Sequence, residues 1–329
     1  MSFSTNVPFS AQILSLSLES FFNQYQISDC LPVHFVLNNS ALIVNEETPI
    51  DSKNQELVVF SDLSMSTLLA IQSNADIKIN SLTAINTRNQ QTSYRFNVTC
   101  ADFVKARKSI ADFALTEGIE AALIKDVPKL AEPGLLVMDM DSTTIEIECI
   151  DEIAKLAGVG EQVSAVTELA MQGELDFAQS LHQRVATLAN SPEQILADVA
   201  KDIPLMAGLE TLITELKKYN WRIAVASGGF TYFADHLKEL LALDATFANT
   251  LEIVDGKLTG RVIGSVVDAQ VKADSLSLLA NQYQIPANQT VAMGDGANDL
   301  VMMAAAGFGV AFHAKPIVLT QADSSINKQ

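Results

Sequence analysis

The sequence predicts an α/β protein: a doubly wound, Rossmann-like parallel sheet with a helical cap insertion, preceded by a small N-terminal α+β domain. Four short apolar runs, at 135–141 (LLVMDMD), 223–227 (IAVAS), 290–293 (TVAM) and 308–312 (FGVAF), alternate with helix-patterned stretches. Strands alternating with helices imply βαβ units and a parallel sheet. The runs are apolar throughout, as strands buried on both faces are. The stretch 146–203 has few strand signals and intersperses acidic and basic residues, so it reads as helices inserted after the first strand.

A chain of 329 residues is long enough for two compact units. Residues 1–125 alternate β-rich runs (33–37, 57–60, 94–98) with helix-like stretches. The strongest helical pattern there covers 101–122, where Phe103, Ile110, Phe113, Ala114 and Ile119 share a face. Two prolines and a glycine in KDVPKLAEPG (125–134) punctuate the boundary, and 126–134 is expected to be a linker. The core then comprises 135–145 and 204–329, and 146–203 forms a cap over the end of the first strand, placed to exclude water and choose the substrate. Asp255-Gly256, between two β-rich runs in LEIVDGKLTG (251–260), signals a structural hairpin.

Composition narrows the function. The chain is 48% hydrophobic and 18% charged, which is ordinary for a globular protein. A formal net charge of −18 argues against a general grip on nucleic acid or an anionic membrane, both of which need a basic footprint. The expected partner is a small molecule, and a homodimer is left open. If the substrate is anionic, a named Lys or Arg must stand against the global field. Cys30, Cys100 and Cys149 are widely spaced with no CxxC pair, so neither a disulfide framework nor a zinc site is indicated. No basic n-region precedes an apolar stretch at the start and no long uninterrupted apolar segment follows, so a soluble cytoplasmic protein is expected.

Ligands of doubly wound sheets sit beyond the carboxyl ends of the strands, and the first three ends here read DMD, SGG and GDGAND. Asp139 and Asp141 are two apart, so an extended backbone points both to one side and Met140 to the other. Two carboxylates this close do not ionise independently; the environment can split them into a nucleophile, assigned to Asp139, and a proton carrier, assigned to Asp141. Acids also cap strands and start turns. The buried run before the pair and a second acid cluster after another strand favour chemistry. In that cluster Gly294 and Gly296 permit a tight turn, while Asp295 and Asp299 offer oxygens to a hard cation such as Mg²⁺. Asn298 or Asp299 also suits a helix N-cap. Ser227, Gly228 and Gly229 offer a hydroxyl and backbone N–H groups to phosphate, a weak signal alone. Lys272 could add a point charge, although an isolated lysine is usually a solvated surface residue.

DMDST (139–143), SGG (227–229), Lys272 and GDGANDL (294–300) resemble, in order, the four motifs of the haloacid dehalogenase superfamily. The likeness covers about 134–322. It is closest to members acting on O-phosphoserine, through IECIDEIAKLAG (147–158), ELDFAQSL (174–181), RVATL (184–188) and ASGGFTYFA (226–234). The resemblance implies Mg²⁺-dependent hydrolysis of O-phosphoserine to serine and phosphate, the last step of serine biosynthesis, through an aspartyl-phosphate on Asp139. It implies Asp141 as general acid and then base. Ser227, Gly228, Lys272 and Asn298 would hold phosphate. Mg²⁺ would bind Asp139, Asp295 and the Asp141 carbonyl, with Asp299 and Asn298 in support. Glu148 would meet the substrate ammonium, Arg184 its carboxylate, and Met171 and Phe177 would close the pocket. Without the family, Glu148 and Arg184 read as solvated surface charges. His182 stands where similar proteins often carry Arg, and no histidine is assigned a task.

Similar proteins usually continue through another strand and a terminal helix, so a last sheet element is expected to be missing or replaced. They often carry an amino-acid-binding module of the ACT type before the core, and the strand and helix order of 1–125 permits one. Alternatives are another small phosphomonoester, phosphoryl transfer between alcohols, or a serine-sensing or protein-binding regulator with vestigial motifs. The presence of every expected side chain counts against the regulator.

Overall fold

A computed structural model describes residues 6–27, 31–44, 55–60, 63–172 and 174–328; Cys30 lies outside them. The chain forms two compact units, Met1–Asp126 with Ser324–Lys328, and Val127–Asp323. Among the described residues no helix is long and apolar enough to cross a membrane.

The first unit contains β1 (Asn6–Pro8), α1 (Ala11–Leu14), α2 (Leu18–Gln24), β2 (Val33–Leu37), β3 (Ala41–Val44), β4 (Gln55–Phe60), α3 (Met65–Asn74), β5 (Ile77–Arg88), β6 (Gln91–Cys100), α4 (Phe103–Glu117) and β7 (Ala121–Lys125). Its antiparallel sheet has the order β1-β3-β2-β5-β6-β4-β7. From β4 onward the chain is a βαββαβ unit, an order that permits the ACT-type module. Alternate residues Leu57 and Val59 of β4 face the core, joined by Ala106, Ile110 and Ala114 of α4. The helix expected over 101–122 is shorter. Asp102 caps its start by accepting from Lys105 N at 3.0 Å, and Gly118, at φ 61°, ends it in the left-handed conformation that costs glycine little. Beyond it Ala121–Lys125 pairs with β4 instead of extending the helix.

The second unit begins earlier than expected. Of the expected linker, 126–134, all but Asp126 belongs to this unit. The buried Gln289 accepts from Lys129 N at 2.6 Å and donates to Lys129 O at 3.1 Å, while Trp221 Nε1 donates to Leu130 O at 3.1 Å. A buried amide needs such partners, and the proline-rich segment supplies free carbonyls.

The remaining elements are β8 (Leu135–Met138), α5 (Cys149–Ala157), α6 (Gly160–Met171), α7 (Phe177–Thr187), α8 (Gln194–Ala200), α9 (Leu209–Lys218), β9 (Arg222–Phe230), α10 (Thr231–Leu241), β10 (Ala245–Val254), β11 (Lys257–Ile263), α11 (Ala269–Gln282), β12 (Thr290–Gly294), α12 (Leu300–Ala305), β13 (Phe308–Phe312) and α13 (Pro316–Gln321). Within the unit the strands run β11-β10-β9-β8-β12-β13. The pairs β10/β9, β9/β8, β8/β12 and β12/β13 are parallel. Leu136, Met138, Ile223 and Val225 feed one core and Leu135, Val137, Ala224 and Ala292 another, so these strands are apolar without alternation. At β8 the winding reverses: the chain moves out to β9 and β10, then returns to the other side as β12. The crevice at that reversal is where open α/β sheets bind ligands.

Helices α5 to α8 fall within 146–203. The β10/β11 hairpin turns on Asp255 (φ 49°) and Gly256 (φ 71°), the two positive φ values of a type I′ turn. After α13 the chain forms a further short strand, β14 (Ser324–Ile326), whose residues group with the first unit, so a strand does follow β13.

Candidate active site

β8 delivers Asp139 and Asp141 to the crevice. Asp139 N donates to Met293 O at 2.9 Å, prolonging the parallel pairing by one residue, and Met140 points into the core. Met140 N donates to Asp139 Oδ1 at 2.7 Å, and Thr144 Oγ1 donates to the Asp139 carbonyl at 2.5 Å. These bonds fix the side chain and the peptide plane of Asp139.

Lys272, from the first turns of α11, is not the solvated lysine its isolation in sequence suggests. It is 1% exposed, with Nζ 2.8 Å from Asp139 Oδ2 and 2.8 Å from Asp299 Oδ1. Burial alone would lower its pKa, but the two carboxylates outweigh that and raise it, so the ammonium stays charged. Asp299 Oδ2 also accepts from Gly296 N at 3.0 Å. A Cβ on Gly294 would run into the buried Asp299 carboxylate, so that position needs glycine, while one on Gly296 would displace the Asn298 amide.

Asp139, Asp295 and Asp299 offer carboxylate oxygens that all lie within 4.8 Å of one another. Their bonds differ. Asp139 and Asp299 each have both oxygens engaged, whereas Asp295 has one hydroxyl, Thr143 Oγ1, at 3.4 Å. Burial and the neighbouring Asp139 raise the Asp295 pKa. A cluster of three carboxylates this close, with hard oxygen donors and no nitrogen or sulfur among them, fits a hard divalent cation.

Asp141 lies beside this cluster, accepting from Cys149 N at 3.4 Å at the start of α5. Burial, then the charges of Glu148 and Asp139, push its pKa up to about 8. It therefore holds a proton at neutral pH.

β9 runs past the expected 223–227 to Phe230, and α10 starts at Thr231. The buried Ser227 accepts at Oγ from Gly229 N at 2.9 Å. Asn249, which the sequence did not single out, braces the end of β9: Nδ2 donates to Gly228 O at 2.8 Å and Oδ1 accepts from Val267 N at 2.8 Å. A Cβ on Gly229 would lie 2.6 Å from Met140 Cε and 3.1 Å from Asp141 Oδ2.

These groups open onto a cleft of about 420 Å³ whose far wall comes from α5, α6 and α7. Glu148 lies at its mouth, where Ser142, at φ 56°, donates its hydroxyl to Oε1 at 2.9 Å. Partial desolvation, with Asp295 and Asp139 adding negative charge, raises the Glu148 pKa although Ser142 pulls it down. Arg184 reaches the cleft from α7 with a buried Nε that has no hydrogen-bond partner. Phe177 sits so close to Gly228 that a Cβ there would be 2.5 Å from its Cζ. Met171 lines the rim but is 77% exposed and does not close the cleft in this conformation. Asn298 also lines the cleft; Lys272 and Asp299 lie behind its wall. His182 is exposed and lies outside it. Sequence reasoning missed Ser142, Thr144, Asn249 and Lys315. For Lys315 a signal existed, since it follows the strand end FGVAF just before a proline.

Residues 134–307 match a family model described as haloacid dehalogenase-like hydrolase. The chain is 62% identical over 208 residues to a phosphoserine phosphatase of Vibrio cholerae serotype O1, covering 63% of this chain and 63% of that protein's own length. It is 57% identical over 227 residues to a phosphoserine phosphatase of Haemophilus influenzae, covering 69% and 70%. The crystal structure of a probable phosphoserine phosphatase from Vibrio cholerae, in unliganded form, is similar with a TM-score of 0.71 and 47% identity, covering 84% of this chain and 83% of that one.

Proposed function

The chain belongs to the haloacid dehalogenase-like hydrolases, and from that premise we propose that it hydrolyses O-phosphoserine to serine and phosphate through a phospho-aspartate on Asp139. The observation that carries the reading is the pairing at the end of β8. A buried Asp139 is held by Lys272, and two residues on Asp141 lies in the same cleft, where burial and the charges of Glu148 and Asp139 favour its protonated form. One carboxylate attacks and its neighbour donates, and both line the same cleft just beyond the end of β8.

In the first half-reaction an Asp139 oxygen attacks phosphorus in line while the bond from phosphorus to the serine oxygen breaks. Asp141 gives its proton to that oxygen, and serine leaves neutral at its hydroxyl. Ser227 and the backbone at Gly228 line the cleft and would bind phosphoryl oxygens, as would Asn298. Lys272, 2.8 Å from Asp139 Oδ2 and from Asp299 Oδ1, keeps both carboxylates in place and lends its charge to the phosphoryl group that forms on Asp139. In the second half-reaction Asp141, now a carboxylate, takes a proton from a water molecule whose oxygen attacks phosphorus, and the Asp139 carboxylate is restored as phosphate departs. Mg²⁺ held by Asp139, Asp295 and the Asp141 carbonyl, with Asp299 in support, would supply neutralisation of the charge that otherwise repels a phosphate dianion.

Specificity for the serine headgroup rests on the cap. Arg184, with its unpartnered Nε, offers a fork to a carboxylate, and Glu148 offers a charge to an ammonium. Leaving a buried guanidinium N–H unpaired costs free energy that a bound carboxylate returns. The test is phosphate release from O-phosphoserine, phosphoethanolamine and deaminated phosphoserine, with and without Mg²⁺. Clear preference for O-phosphoserine, dependent on Mg²⁺, is expected; equal turnover of all three sinks the substrate assignment.

A further inference from the structure

The cleft is poor in positive charge where a phosphate must enter. Lys272 already shares its ammonium between Asp139 and Asp299 and does not line the cleft. Among the described lining residues, the cations are Arg184 and Lys315, facing Asp139, Asp141, Glu148 and Asp295. If Arg184 takes the substrate carboxylate, the lining cation that an incoming phosphate dianion meets before it reaches Asp139, behind which Lys272 lies at 2.8 Å, is Lys315.

Lys315 is built into the acidic side of the cleft. Its backbone N–H donates to Asp295 O at 3.3 Å, at the start of α13, and its side chain lines the cleft with Asp295, Gly296 and Asn298. The side chain is exposed, and among the described residues no carboxylate lies within ion-pair distance of its ammonium. Its field is felt at Asp295, where burial and Asp139 raise the pKa and Lys315 opposes them. On a chain of net charge −18, an uncommitted cation at this spot also acts on a dianion before contact.

We propose that Lys315 is the phosphate-capture residue of this cleft, meeting the dianionic group of the incoming ester and of departing inorganic phosphate on the Asp295 and Asn298 side. This rests on the reading of the cleft as a phosphomonoester site.

The experiment titrates inorganic phosphate calorimetrically into Mg²⁺-loaded wild type, Lys315→Gln and Lys315→Arg. It also measures kcat/KM on O-phosphoserine across ionic strength, and Mg²⁺ affinity separately. Lys315→Gln is expected to weaken phosphate binding and lower kcat/KM by about fivefold each, the worth of one solvated charge at contact. Lys315→Arg should retain both. The kcat/KM gap should close towards about 1 M salt, where screening reaches contact range. Unchanged phosphate affinity in Lys315→Gln, whether or not Mg²⁺ affinity moves, overturns the proposal. A wild type that neither binds phosphate nor releases it from the ester brings down the functional reading and this proposal together; a wild type that does both, matched by Lys315→Gln, brings down only the proposal.

Discussion

The ring of Phe177 occupies the space that any side chain at position 228 would need: a Cβ on Gly228 would lie 2.5 Å from Phe177 Cζ. Cap and core therefore meet through an aromatic ring laid on bare backbone, beside Ser227. Gly228→Ala should push Phe177 aside, because that separation is well inside van der Waals contact. Expected is a fall in kcat/KM on the order of tenfold or more, since small misplacements near the reacting atoms are costly, with partial recovery in Gly228→Ala with Phe177→Leu. Steady-state kinetics of the single and double variants checks this. An unaffected single variant contradicts it.

Lys272→Met should destabilise as well as inactivate. It leaves Asp139 and Asp299 buried without their shared cation. Removing one partner of a buried ion pair costs roughly 3–5 kcal/mol. Urea unfolding of metal-free protein measures this, and added Mg²⁺ should return part of the loss by neutralising the same carboxylates.

Asp141 sets a pH signature in the metal-free protein. Its folded pKa, about 8, lies above its ordinary value of 3.8, so between these limits the folded state holds a proton the unfolded state has released. Stability from this group is complete below the unfolded pKa and is lost as pH rises towards about 8. Asp141→Asn should therefore gain stability over wild type progressively across that window and hold a constant advantage above it, while losing turnover. Denaturant midpoints at several pH values test the sign; an advantage that shrinks with rising pH contradicts it.

Arg184→Ala should raise KM for O-phosphoserine by roughly tenfold to a hundredfold, the worth of a charged hydrogen-bonded contact, with a much smaller effect on phosphoethanolamine, which has no carboxylate. Glu148→Ala should show the mirror pattern, sparing a substrate without the ammonium. Equal losses on both substrates would mean that the cap residues support the fold and do not read the headgroup.

The catalytic strand ends were legible because their requirements are local. Asp139 and Asp141 follow from the period of a strand, and Gly294 from a turn that admits no Cβ. What was not legible depends on elements distant in sequence. Lys272 reads as a surface lysine until α11 carries it against Asp139 and Asp299, and Asn249 gives no sign that both ends of its amide are used to brace the 228 carbonyl and Val267. The 126–134 segment carries every punctuation mark of a linker, but its carbonyls satisfy Gln289 and Trp221, which sequence patterning cannot foresee. The apolar pattern over 101–122 outruns its helix because the apolar face continues past Gly118, whose left-handed conformation ends the helix at Glu117.

The central claim is a covalent bond between Asp139 and phosphorus. Rapid acid quench of the Mg²⁺-loaded protein with ³²P-labelled O-phosphoserine, followed by peptide mapping, should capture label on the peptide containing Asp139 within the first turnover, and Asp139→Asn should capture none. Full turnover in Asp139→Asn, or a wild type that releases phosphate with no labelled peptide at any quench time, would contradict the account.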